Sequence, residues 1–139
     1  MNAPLYTTEI LRLAASLKEP RQLEREDGRA EARSLTCGSR IETAVQLDDD
    51  GQVAAISQRV HACAFGQAAS ALLEQGALGR SRDEVSTGLS ELEAWLGGAD
   101  AVPHWPGIET LAPARPRKAR HGAILLPFRA LLAALDTQR

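Results

Sequence analysis

The chain has 139 residues, 44% hydrophobic, 24% charged and 4% aromatic, with a formal net charge of −2 and a pI near 5.9. That length suffices for one domain, residues 1–139, with its own core. The near-neutral balance excludes the global basic field of a nucleic-acid-binding or membrane-surface protein, and the apolar runs fall far short of the roughly 20 residues a membrane span needs.

Residues 1–18 carry Glu9 and no basic stretch ahead of an apolar block, so no signal peptide is read there. A cytoplasmic location is the resulting expectation. Ile10, Leu13, Ala14 and Leu17 recur at helical spacing, which predicts a helix over 5–18 capped by Thr7 or Thr8 and ended by Pro20. Residues 21–29 read as a charged connector. A weak first strand is expected over 30–36. Ile41, Thr43, Val45 and Leu47 alternate with Glu42, Ala44 and Gln46, the pattern of a half-buried strand. Asp48-Asp49-Asp50-Gly51 reads as a hairpin turn, with Asp50-Gly51 as its positive-φ pair. The three aspartates lack the ligand series of a calcium loop. Residues 53–62 return as a third strand.

The stretch Val60 to Gly79 organises the rest. A strand runs into Cys63, and Cys63 opens a helix whose Phe65, Ala68, Ala69, Leu72 and Leu73 form one apolar face. A thiol at a helix start meets unpartnered N–H groups and the positive end of the helix dipole, an environment that suits the anionic sulfur of metal binding or sulfur transfer. A small buried core cysteine is the alternative. Ser81-Arg82-Asp83-Glu84 is a capping box opening a helix with Val85, Leu89, Leu92 and Leu96 on its buried stripe, stopped by Gly97-Gly98. Residues 99–117 read as a long irregular connector in which Trp105 tucks over the core. Arg115, Arg117, Lys118 and Arg120 form a basic cluster, either solvated or facing an acidic partner. A last helix is expected from about 121–124, with Pro127 in or near its first turn. The element order predicts an α+β fold, a three-stranded antiparallel sheet packed on one face by helices.

The meander should bring Cys37, in the turn between the first two strands, toward Cys63 at the end of the third. His121, at the start of the last helix, is the candidate third member. Two cysteines and a histidine suit zinc or iron–sulfur chemistry. Spacings of 26 and 58 residues match no short zinc-finger pattern. His61, Glu42, a water or a second chain are the options for a fourth ligand; Ser39 is a poor one unless deprotonated. His104 reads as loop surface. Neither cysteine has an evident base and orienting group, so a cysteine hydrolase is a poor fit.

Cys37-Gly38-Ser39-Arg40-Ile41, the Asp-Gly turn, and Ala62-Cys63 followed by Ala-Phe-Gly-Gln-Ala-Ala-Ser-Ala-Leu-Leu resemble the NifU N-terminal/IscU/SufU family of iron–sulfur cluster assembly scaffolds. Glu19-Pro20-Arg21 and Gly79-Arg80-Ser81 agree with it. The resemblance spans nearly the whole chain and is weakest over 99–120. It implies a non-enzymatic scaffold that binds iron, a [2Fe–2S] cluster or zinc through Cys37 and Cys63 with His121. It also implies a cysteine desulfurase as sulfur donor, recipient apoproteins, and a homo-oligomer as a further option. The family's set is three cysteines and an aspartate. Here the aspartate position holds Ser39, and the third cysteine's slot falls on Gly122 or Ala123. Two other readings stay open: a zinc-bound SufU-like sulfur acceptor, and a docking module without metal.

Overall fold

The computed structural model describes residues 6–35 and 38–137. Helix α1 (Thr8–Ala15) starts where the Ile10 N–H donates to the Thr7 hydroxyl at 3.2 Å. It is shorter than the expected 5–18. Its C-cap is Ser16, whose hydroxyl donates to the Leu13 carbonyl, so a local side-chain bond stops the helix ahead of Pro20.

Three strands follow, β1 (Gly28–Arg33), β2 (Arg40–Leu47) and β3 (Val53–His61), paired antiparallel in the order β1-β2-β3. The first begins two residues earlier than its pattern suggests. Asp27 sets that start: its backbone N–H donates to the Val45 carbonyl, and its carboxylate accepts from the Leu47 N–H. Ile41, Thr43, Val45 and Leu47 are all buried, as the alternation requires. Ala44 is buried too, although it points to the other face. The chain near Pro20 crosses that face, where the Arg21 N–H donates to the Ser57 hydroxyl at 2.8 Å.

The β2–β3 turn is wider than a two-residue hairpin. The Asp48 carboxylate accepts from the N–H groups of Asp50 and Gln52, both at 2.9 Å, and only Gly51 takes a positive φ. An Asx-type turn thus replaces the expected Asp50-Gly51 positive-φ pair, and a register shift at Gln46/Leu47 absorbs the extra residue.

Helices α2 (Ala64–Ala77) and α4 (Lys118–Asp136) pack across the sheet, with α3 (Arg82–Leu96) against α4. The capping box of α3 is complete, with Ser81 and Glu84 bonding each other's backbone N–H. The 99–117 connector is not wholly irregular: Ile108–Ala114 forms a 3₁₀ segment. Trp105 is buried, donates from its indole N–H to the Leu72 carbonyl at 2.9 Å, and meets the Phe128 ring edge-on at 5.0 Å. Gly76 and Gly88 make room for it, since a Cβ on either would lie within 3 Å of the indole.

Helix α4 begins at Lys118, earlier than expected, which puts Pro127 in the helix interior. Proline there removes one backbone hydrogen bond. Burial of Pro127 and its neighbours Leu126 and Phe128 in the core offsets that loss. Among the described residues, no helix is long and apolar enough to cross a membrane.

Candidate functional site

Cys63 is the N-cap of α2, with extended backbone (φ −66°, ψ 175°) and no side-chain capping bond. Serine or aspartate at an N-cap folds its oxygen back onto the first turn. A thiol is a weak acceptor, so the Cys63 sulfur is left to the surroundings. Those surroundings are an open cleft of about 430 Å³. Gly38 and Ser39 line it from the β1–β2 turn, His61 from the end of β3, Gln67 from α2, and Ala119, Arg120 and Ala123 from α4.

Each wall has a local cause. The β1–β2 turn is drawn in by Gly38 N–H donating to the Ser34 carbonyl at 3.1 Å and Ser34 N–H donating to the Ser39 carbonyl at 2.9 Å. Gly38 has a φ of +72°, a conformation glycine adopts without strain. Ser39 is buried, only 4% exposed. The Gln67 side chain donates to the Ala62 carbonyl at 3.2 Å, which fixes the link between β3 and α2. Gln67 was not singled out by pattern; its position one turn after Cys63 is the signal that marks it.

The cleft brings Cys63, His61 and Ser39 together. Cys37 lies outside the described residues; Gly38, which follows it in the chain, lines the cleft. His121 does not reach it. At 100° per residue, the α4 face carrying Ala119, Arg120 and Ala123 is about 150° from His121. The His121 Nε2 lies instead 3.0 Å from the Ala114 carbonyl and 2.9 Å from the Arg115 carbonyl. A nitrogen facing two carbonyl oxygens carries the proton, so Nε2–H donates and ties the start of α4 to the 3₁₀ segment. Glu42 is engaged by Arg29 at 2.8 Å, and His104 is exposed beside Glu91, as a loop-surface histidine should be. Among the described residues no three His, Cys, Asp or Glu side chains cluster closely enough to hold a metal ion.

Of the two positions onto which the resembled family's third cysteine falls, Gly122 and Ala123, Ala123 lines the cleft. Ala123 is fully buried, and a Cβ on Gly66 would lie 3.3 Å from the Ala123 Cβ. Arg115, part of the sequence's basic cluster, is structural: its guanidinium lies 5.0 Å over the Trp95 ring and donates to the Trp95 and Ala99 carbonyls. Arg120 is the member that lines the cleft.

No protein-family model and no curated protein sequence matches the chain. Solved structures do. A nitrogen-fixing NifU-like protein (N-terminal) from Brucella abortus superposes with a TM-score of 0.88 at 28% identity, over 96% of this chain and 93% of that one. A putative iron–sulfur cluster assembly scaffold protein for the SUF system from Fervidobacterium islandicum AW-1 superposes with a TM-score of 0.81 at 20% identity, over 94% and 96%. Over nearly its whole length, therefore, the chain is similar to a NifU-like N-terminal protein and shares its three-stranded α+β fold with that protein and with the SUF-system structure.

Proposed function

We propose that this protein is an atypical iron–sulfur cluster assembly scaffold, not an enzyme, that takes sulfur from a cysteine desulfurase. Its cargo is iron, a [2Fe–2S] cluster or zinc, passed on to recipient apoproteins. The observation that carries the reading is the Cys63 thiol at the uncapped start of α2, opening into a cleft whose far wall begins one residue after Cys37. Two thiols and the His61 imidazole are soft and borderline donors suited to that cargo. His121 acts in this reading as a positioning residue, fixing the α4 wall through its Nε2–H bonds.

Sulfur delivery is an exchange between thiolate and persulfide. A cysteine thiolate of this chain attacks the terminal sulfur of the desulfurase persulfide. A new S–S bond forms, the old one breaks, and the desulfurase thiolate leaves with the electron pair. The open cleft gives a partner's cysteine a way in.

A metal-free docking module is the second reading. It is favoured by the missing third cysteine, since Gly122 and Ala123, the two positions where it would fall, carry no metal donor. Anaerobic reconstitution with ferrous iron, cysteine and a cysteine desulfurase separates the two. Charge-transfer absorption with near-equal iron and sulfide is the expected result. A colourless protein free of zinc would leave the docking module.

A further inference from the structure

Two helix N-termini open onto the cleft, α2 after Cys63 and α4 after Arg117. Neither has a side-chain cap, and neither has an acidic residue in its first turn. The other two α-helices follow the opposite rule. Helix α1 has Thr7 and Glu9, and α3 has Ser81, Asp83 and Glu84. Helix α4 goes further, placing Arg117, Lys118 and Arg120 at its positive end, where cations are unfavourable. Arg40 stands on the other side, at the start of β2. Among the described residues none of these four cations has an ion-pair partner.

Among the described residues no carboxylate lines the cleft or the adjoining recess formed by Arg33, Leu35, Arg40 and His61. Leu35, at the tip of the β1–β2 turn, is 99% exposed. A chain of net charge −2 thus concentrates unneutralised positive charge and one bare apolar side chain around its candidate site.

We infer that the mouth of the cleft is a docking surface for an acidic segment of a partner protein, with Leu35 as its apolar anchor. Carboxylates of that segment would meet Arg40, Arg120 and the α4 N-terminus. They would relieve a field that the free chain leaves unbalanced. The identity of the partner as the cysteine desulfurase rests on the scaffold reading; the acidic chemistry of its face rests on the charge pattern.

The test compares the affinity of a cysteine desulfurase for the wild type, for Arg40→Glu/Arg120→Glu, and for Arg82→Glu/Arg129→Glu. The last pair makes the same net-charge change on α3 and farther along α4. Circular dichroism first establishes that all three are folded. At about 50 mM salt the first variant should bind at least ~10-fold more weakly and the second within ~2-fold of wild type. The gap should close by about 0.5 M salt, where the Debye length falls to a few ångströms. Leu35→Ser should weaken binding at both salts. Equal affinity of the two double variants overturns the inference and leaves the scaffold reading standing. If wild type binds no desulfurase, the scaffold reading fails, and amide shifts with poly-L-glutamate then decide. Shifts centred on Arg40, His61 and Arg120 retain the acidic partner, and their absence overturns it.

Discussion

Ala123 of α4 faces Gly66 of α2 so closely that a Cβ on Gly66 would lie 3.3 Å from the Ala123 Cβ and 2.6 Å from that of Ala62. This contact joins the two helices that wall the cleft. Ala123 is also the one of the two candidate third-cysteine positions, Gly122 and Ala123, that lines the cleft.

Ala123→Cys should therefore raise zinc affinity, by about 10-fold or more if the sulfur joins Cys63, at a packing cost of about 1 kcal/mol for the added atom. Competition with a chromophoric chelator measures the first and urea unfolding the second. Gly122→Cys is the comparison. A gain in that variant alone would move the slot by one residue and out of the cleft lining.

Cys63→Ser should lower metal or cluster content more than His61→Ala does. The thiolate is the stronger donor, and His61 is an exposed strand-end residue. Metal analysis after reconstitution reads this directly. Equal content in both variants and wild type would remove the site hypothesis.

His121 should behave as a brace. His121→Ala loses the bonds to the Ala114 and Arg115 carbonyls and should cost about 1 kcal/mol, with metal content per folded protein unchanged. His121→Gln, whose amide can donate to the same carbonyls, should recover most of that stability. Loss of metal in both variants would instead make His121 a ligand.

Trp105 should dominate the stability of the 99–117 segment. It is buried against glycines on two helices and bonded to the Leu72 carbonyl. Trp105→Ala should cost about 3–5 kcal/mol, and Trp105→Phe clearly less, since the ring remains while the N–H bond is lost. Urea midpoints of the two variants test this ranking.

The sheet and the start of α2 were legible because their signals are local and repeated. Alternation over Ile41 to Leu47 marks a strand, and apolar spacing from Phe65 to Leu73 marks a buried helix face. Pro127 was misplaced because proline argues for a first turn wherever propensity alone decides, whereas here core packing does. The β2–β3 turn was misread because the Asp48 carboxylate competes for backbone donors that a shorter hairpin would pair elsewhere. At the site, chain order brought Ser39, His61 and Cys63 to one edge. The helical phase of His121 could not be read until the start of α4 was known. A start at residue 118 instead of 121–124 lets Ala119, Arg120 and Ala123 line the cleft on a face that turns His121 away.

Two carboxylates should pull the acid stability of the fold in opposite directions. Half-burial on α2 raises the Glu74 pKa, only partly countered by the Lys18 N–H at 3.2 Å. A raised carboxyl pKa means the folded state holds its proton longer than the unfolded chain does. Glu74 therefore costs stability as pH rises from the ordinary glutamate range through its folded value, and the cost persists at neutral pH. Glu74→Gln keeps an acceptor for Lys18 and should stabilise the protein at pH 7 by about 0.5 kcal/mol or less, given the solvent screening of a half-exposed group. The gain should vanish at pH 3. Asp27 works the other way. The Arg25 guanidinium and then the Leu47 N–H lower its pKa, so its contribution is complete above the ordinary aspartate range and is lost as pH falls through the depressed folded value. Asp27→Asn should flatten the acid limb of the stability curve, and Glu74→Gln should steepen it. Thermal midpoints from pH 2.5 to 7.5 for the two variants and wild type give both slopes, and parallel curves would show that neither carboxylate is linked to folding.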